Sequence, residues 1–485
     1  MIDFISNNWL ISLLILNYLL AIGTAFFVIR NNGNPVSTLS YVLGLLLFPF
    51  VGLLVYLFFG QEYRKDKMFK RQGVLNHKII KKWEKKLLAD EESLKKYEEA
   101  FLEQYSAVAG LVQNTQRKPL TFGNDVLLLN NGDEKFKALF DAIRKAQRFI
   151  HLEYYIFGQG KIGKQLLDLL CERAQEGVAV KVIYDYVGSQ LASRDKQRLE
   201  EAGVEIYPFM PVWFPNLTRK LNYRDHRKLC VIDGSIGFVG GINVSDEYVN
   251  SLNDSFWRDI HLRLEGNVVK SLHTHFLLNW NFVTGSKEIN IAEDYFPKIK
   301  DCGEVAMQIV ASGPDSDSPH IMRALFTAIN QARESILITT PYFIPNEPML
   351  VALKTAAARG VDIQLMCPRD GDSWAAKYAT HSYFREVLAS GIRIFHYCKG
   401  MLHAKTMLID GQLCSVGTSN FDYRSFEINF EINALIYNED FTQKMQGHFE
   451  KDKQDCEEVL LEPWIERPLK EKIKESFSRL WAPLL

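Results

Sequence analysis

DHRKLCVIDGSIGFVGGIN, residues 225–243, and LHAKTMLIDGQLCSVGTSN, residues 402–420, carry the same spaced residues in the same order. His226, Lys228, Asp233, Gly240 and Asn243 in the first are answered by His403, Lys405, Asp410, Gly417 and Asn420, each 177 positions further on. Each stretch reads as a strand, an Asp-Gly turn and a second strand, because Asp-Gly between alternating apolar runs favours a two-residue hairpin. Side chains at i and i+2 of a strand share a face, so each histidine and its lysine present an imidazole beside an ammonium. The aspartates are different. Seven residues, about 23 Å of strand, separate each from its own histidine, too far to orient that ring. Their spacing makes Asp233 and Asp410 turn-forming.

Outward from these stretches the chain repeats itself. KALFDAIRKAQRFIHLEYYIF (137–157) and RALFTAINQARESILITTPYFI (323–344) share a helix-then-strand pattern, followed in each half by a helix ending at glycine and a β-branched run, EGVAVKVIYDY or RGVDIQLMCPR. EAGVEIYPF and ASGIRIFHY come next, then the two histidine segments. Matching blocks in matching order mean duplication, and the alternation of helix and strand means α/β. The halves differ mainly in one loop: 18 residues separate Tyr207 from His226, but only seven separate Phe395 from His403. The longer insert, PFMPVWFPNLTRK, joins Phe209, Met210, Val212, Trp213 and Phe214 to Arg219 and Lys220, a composition suited to dipping into a membrane or to packing on its own domain.

The N-terminus is a different kind of sequence. Trp9 to Ile29 and Val36 to Phe59 carry no charge, and a span of about 20 such residues crosses the hydrocarbon core. The start, MIDFISNN, lacks the basic residues of a cleaved leader. Two spans joined by RNNGNP form a hairpin, expected over 1–60. Between Gln61 and Leu88 ten Lys/Arg face three acidic residues, which by the positive-inside rule puts the bulk of the chain in the cytoplasm against anionic lipid. A basic, helical linker is expected over 61–118, a first catalytic domain over 119–300 and a second over 301–485. The amphipathic C-terminus, with Trp464 and Trp481, reads as packing onto the second domain. The net charge of −1 argues against bulk nucleic acid as a partner, and seven scattered cysteines give neither a disulfide framework nor a thiolate metal site.

An imidazole nucleophile flanked by ammonium groups and by the amides of Asn243 and Asn420 suits attack on a phosphodiester, whose oxygens gain charge in the transition state. No cofactor is called for and no metal: H-E-x-x-H and carboxylates at ligand spacing are missing, and the lysines would repel a cation. Together the segments satisfy H-x-K-x4-D-x6-G-[GST]-x-N twice, and the chain thereby resembles the phospholipase D superfamily. The resemblance implies two phospholipase D-like α/β/α domains about a pseudo-twofold axis, pooling their motifs in one site. His226, Lys228, Asp233, His403, Lys405 and Asp410 would be its catalytic set; one histidine would form a phosphohistidine while the other moves the proton. It also implies that Asp259 and Glu431, on strands following the motifs, orient the rings. NYRDHRKLCVIDG, GGINVSDEY, TPYFIPN and GTSNFDYRSFEINFE, with the apolar hairpin, are similar to bacterial cardiolipin synthases of this superfamily. That similarity implies transfer of a phosphatidyl group between two phosphatidylglycerols in the cell membrane. A hydrolase or a phosphatidylserine synthase differs only in the acceptor, and a non-catalytic scaffold would not need paired His, Lys and Asn. The long insert before His226 suggests that His226 attacks and His403 is the acid. Acyl preference and oligomeric state stay open.

Overall fold

The computed structural model describes residues 9–30, 35–59, 107–116, 119–211, 223–285, 295–298 and 301–484. The turn between the apolar runs, the basic segment 61–88 and the tip of the long insert lie outside them. The apolar N-terminus and the α/β body belong to separate compact units.

In the N-terminal unit α1 (Trp9–Arg30) has 22 residues, enough to cross a bilayer at about 1.5 Å per residue. The second apolar run departs from the single span expected of it. It forms α2 (Pro35–Leu47) and α3 (Pro49–Phe59), of 13 and 11 residues. Bonds from Phe48 N to Gly44 O (3.0 Å) and from Gly52 N to Phe48 O (2.6 Å) bracket the bend. Pro49 has no N–H to continue the ladder, and its ring displaces the preceding turn. A Cβ at Gly52 would overlap the Gly44 carbonyl, so the bend depends on glycine there. Ala21, Ala25 and Val28 of α1 pack against Leu45 and Tyr56, small residues allowing close approach. Among the described residues, α1 is the helix long and apolar enough to span.

The body is built on strands β1 (Thr121–Asn130), β2 (Phe149–Tyr154), β3 (Ala179–Asp185), β4 (Glu205–Phe209), β5 (Lys228–Ile232), β6 (Ile236–Gly240), β7 (Phe256–Arg258) and β8 (Ile260–Glu265) in the first half. The second half supplies β9 (Val305–Ser312), β10 (Ser335–Thr339), β11 (Phe343–Ile344), β12 (Asp362–Pro368), β13 (Arg393–Tyr397), β14 (Gly400–Leu402), β15 (Thr406–Ile409), β16 (Leu413–Gly417), β17 (Phe421–Asp422), β18 (Glu431–Tyr437) and β19 (Cys456–Val459). A single 15-stranded sheet runs through both. From its central seam, where β1 and β9 pair antiparallel, the first half reads β1-β8-β6-β5-β2-β3-β4 and the second β9-β18-β16-β15-β10-β12-β13, with β19 as an added edge. The duplication is therefore a pseudo-twofold repeat of strand order. Equivalent helices cover equivalent strands: α4 (Lys161–Gln175) ends at Gly177 and α5 (Glu347–Ala358) at Gly360, with φ of 92° and 91° that favour glycine.

Each half has its own core. Leu139, Ile143, Leu166 and Leu170 bury against Ile150, Leu152, Val180 and Val182; Leu325, Ile329, Leu350 and Leu353 against Ile336, Ile338, Ile363 and Leu365. The helix at 107–116 falls within the segment read as a linker, yet Val108, Ala109 and Val112 enter the second half's core and Gln116 Nε2 donates to Ala311 O at 2.9 Å. At the C-terminus Trp464 is buried and α6 (Leu469–Arg479) lies on the second half, with Lys474 Nζ bonded to Tyr378 Oη at 2.9 Å. Its outer face leaves Leu469, Ile473 and Phe477 exposed.

Candidate active site

The two motif hairpins turn at Asp233-Gly234 and Asp410-Gly411, where all four residues have positive φ between 51° and 70°, the type I′ geometry. In that turn the aspartate side chain lies back along the sheet. Asp233 accepts from the backbone N–H of Gln147, Arg148 and Phe149 at 2.8–2.9 Å. Asp410 does the same for Arg333, Glu334 and Ser335. Both carboxylates therefore tie the start of β2 or β10 to the hairpin, at the strand end opposite the histidines. They do not line the cavity.

The histidines do not share a strand with their lysines as expected: His226 lies two residues before β5, and His403 and Lys405 both precede β15, in segments held by the other half. His226 Nδ1 faces both oxygens of Glu431 at 2.9 and 3.0 Å. His403 Nδ1 faces Asp259 Oδ2 at 2.7 Å. The backbone is crossed in the same sense. His226 N donates to Phe430 O at 3.0 Å, one residue before Glu431, and His403 N donates to Arg258 O at 2.7 Å, one residue before Asp259. Asp225 bridges Phe430, and β7 pairs parallel with β14. A carboxylate in its ionised form only accepts, so these contacts favour the tautomer with the proton on Nδ1, which leaves Nε2 for chemistry. Thr418 Oγ1 further donates to Glu431 at 2.6 Å, and the equivalent residue Gly241 leaves room for Asp259, whose carboxylate a Cβ there would strike.

Both histidines line one cavity of about 520 Å³, together with Asn243 and Asn420. Tyr155 meets the His226 ring edge-on at 5.0 Å, while Tyr248 and Trp257 meet that of His403 at 5.6 and 5.7 Å. Lys228 Nζ donates to His226 O at 2.6 Å, and Lys405 Nζ lies 2.8 Å from His403 Nδ1 while donating to that residue's carbonyl. Asn243 Nδ2 donates to Tyr248 Oη at 2.8 Å and Asn420 Nδ2 to Asp422 at 2.9 Å, one N–H of each amide.

Burial dominates the electrostatics. It holds His226 well below 6.5, with Lys228 and Lys405 adding to the effect. His403 is lowered by burial and by Lys405, but Asp259 pulls it back up. Desolvation brings Lys228 down to about 7 and Lys405 to about 8, and lifts Glu431 to about 7 against the pull of Lys228. Lysines weakened in this way keep their ammonium form only with negative charge close by, which Glu431 and Asp259 supply in part. Among the described residues no three His, Cys, Asp or Glu gather as a metal site would require.

Several lining residues are absent from the sequence-derived set. Arg224, Glu247, Tyr248, Tyr342 and Arg424 lie in segments that carried the family resemblance without drawing notice singly. Tyr155 and Asp372 follow β2 and β12, at the carboxyl ends of parallel strands where open α/β sheets bind ligands, a signal available from the element pattern.

Comparison with known proteins follows this geometry. The family model described as cardiolipin synthase, PLD-like domain, matches residues 139–277 and 325–453, and one described as phospholipase D-nuclease N-terminal matches 19–61. A probable cardiolipin synthase of Bacillus subtilis (strain 168), YwiE, is 40% identical over 463 residues, covering 95% of this chain and 91% of its own. Cardiolipin synthase 2 of Bacillus anthracis is 39% identical over 471 residues, with 96% and 89% covered. Among solved structures, a phosphatidylserine synthase from Haemophilus influenzae aligns with a TM-score of 0.58 at 15% identity, over 78% of this chain and 100% of its own, a likeness of fold alone.

Proposed function

The chain belongs to the cardiolipin synthase family of phospholipase D-like proteins, and from that membership we propose how this phosphatidyltransferase works on phosphatidylglycerol. His226 Nε2 attacks the phosphorus of one phosphatidylglycerol as the bond to its terminal glycerol breaks, and His403 gives its proton to the departing oxygen. The phosphatidyl group then rests on His226. The terminal hydroxyl of a second phosphatidylglycerol passes its proton to His403 while its oxygen takes the phosphorus, the P–N bond breaks, and cardiolipin leaves.

One observation carries this reading: two imidazoles, each fixed through Nδ1 by a carboxylate of the opposite half, turn Nε2 toward one cavity. Burial lowers both histidines, but Asp259 opposes this at His403 while cations add to it at His226, so of the two His226 is the more readily neutral, as a nucleophile requires, and His403 the more readily protonated. Lys228, Lys405 and the second amide hydrogens of Asn243 and Asn420 stabilise charge growing on the phosphate oxygens. Asp233 and Asp410 act as structural ties, and Glu431 and Asp259 as positioning residues. On this reading 119–300 and 301–485 are two domains of one site. The apolar N-terminus and the basic segment after it hold the body at the cytoplasmic face of an anionic bilayer.

Labelled phosphatidylglycerol in vesicles tests the assignment. The expected products are cardiolipin and free glycerol in equal amounts, with acid-labile label on a peptide containing His226. Phosphatidic acid as the main product would make the enzyme a hydrolase, and label on the His403 peptide would reverse the two histidines.

A further inference from the structure

The C-terminal helix α6 lies on the body with its polar side inward. Its buried residues are Glu475 and Ser478, and Glu475 pairs with Arg467 Nη1 at 2.6 Å. Leu469, Ile473 and Phe477, with Leu480 just past the helix end, are 71, 59, 52 and 75% exposed. Steps of four, four and three residues set them on one helical face, and Trp481, edge-on to Phe477, continues it. A helix on a water-surrounded body turns its apolar stripe to the core. This one does the reverse. Apolar side chains exposed singly are ordinary, whereas an aligned group of them marks a contact surface.

That surface is tied to the cavity at both of its ends. The helix Trp374–Ala389, on which α6 packs, begins at the cavity's edge: Asp372, Ser373 and Ala376 line the cavity, while Trp374 is 55% exposed. Trp374 meets the Tyr378 ring at 5.1 Å, and Lys474 of α6 bonds Tyr378 Oη. After α6, Ala482 is buried and its turn packs on the short helix Tyr423–Glu427, which carries the cavity-lining Arg424. The charge of α6 also has a direction. Glu471 pairs with Lys474, Glu475 with Arg467 and Arg479 with Glu386, so the positive charge that remains is that of Lys470 and Lys472. At 3.6 residues per turn these two flank the apolar stripe, one on either side. An apolar stripe with basic flanks fits the interface of an anionic bilayer.

We propose that α6, together with Trp374, is a membrane contact of the body itself, lying in the interface of an anionic bilayer and seating the cavity's edge against it. A phospholipid headgroup then enters the cavity while its acyl chains stay in the bilayer. This rests on the reading that the N-terminus holds the chain at an anionic bilayer, and adds to it which face of the body meets the lipid.

The full-length enzyme in vesicles of phosphatidylglycerol and phosphatidylcholine, doped with a phospholipid whose acyl chain is photoactivatable, separates the outcomes. Peptides covering 9–30 and 469–481 should both take label. Label on 9–30 alone would overturn the proposal and leave the N-terminal anchor standing, and label on neither would remove the anchor as well. Crosslinks joining 469–481 of two copies, in place of lipid label, would make this face an oligomer contact and equally overturn the proposal. Activity supplies a second readout. In Ile473→Gln and Phe477→Gln, whose side chains point away from the body, cardiolipin formation from vesicles should fall about tenfold, the loss expected when one large apolar side chain is no longer buried. The fall should appear as a raised KM for vesicle lipid with kcat kept, and turnover of a water-soluble short-chain phosphatidylglycerol should fall far less. Equal loss on both substrates would mean that α6 only steadies the helix Trp374–Ala389, and would overturn the proposal.

Discussion

At the residue scale the site depends on two hydrogen bonds that cross the molecule. Glu431→Gln replaces an acceptor with an amide that satisfies His226 Nδ1 less well and stabilises no positive ring. Turnover should fall by about 10²–10⁴ with the fold intact, and Asp259→Asn should do the same through His403. Initial rates and thermal melts in detergent check both. Near-normal turnover in either variant would mean that the crossed pair is incidental. The lysines set the pH response. Lys228 at about 7 and Lys405 at about 8 are lowered by burial, and a lysine stabilises phosphate charge only below its pKa. Activity is therefore lost as pH rises through those values. A bound phosphodiester anion favours the ammonium form and raises both pKa values, so the alkaline limb of kcat should lie at higher pH than that of kcat/KM. Coincident limbs in a pH–rate series would contradict this. His226, His403 and both lysines were legible in the sequence because the same spacing recurs in both halves, although only Lys228 among them lies in a strand. Arg224 was not, since an arginine two residues before a motif histidine says nothing of its burial or of its place in the cavity lining.

The elements show how short segments carry the crossing. β7 and β14 have only three residues each, yet their parallel pairing puts Arg258 O on His403 N and brings Asp259 to the ring. Gly400 pairs with Phe256, and a Cβ on Gly400 would overlap the Phe256 carbonyl. Gly400→Ala should therefore open this pairing, cost about 1–3 kcal/mol of stability and reduce turnover about 10²-fold through misplacement of His403. Wild-type rates in that variant would mean that β7–β14 does not position the histidine. The hairpins behave differently. Asp233→Ala leaves the histidines in place but removes three hydrogen bonds, so it should lower stability by about 1–3 kcal/mol while turnover per folded molecule survives. A catalytic aspartate would show the reverse pattern. The Asp-Gly turns are readable from two residues; the bend at Pro49 is not readable from hydropathy, which does not register a missing N–H.

For the whole molecule, the continuous sheet makes the halves interdependent. The seam joins β1 to β9, the 107–116 helix lends its apolar face to the second core, and each histidine's carboxylate lies across the seam. Fragments 1–300 and 301–485 should each be inactive alone and regain turnover when co-expressed, as measured by cardiolipin in membranes. Turnover from either fragment alone would refute a shared site. The sequence by itself determined the duplication, the α/β class, the twice-used His, Lys, Asp and Asn spacing and the apolar N-terminus, because period, turn chemistry and hydropathy are local properties of a chain. Only the tertiary structure decided which carboxylate serves which histidine, which further residues line their cavity, and that part of a linker is core. Those facts depend on contacts between residues up to about two hundred positions apart, such as His226 and Glu431, separated by 205. A strand's side-chain period says which way a residue points, but sheet closure about the pseudo-twofold axis selects what it meets.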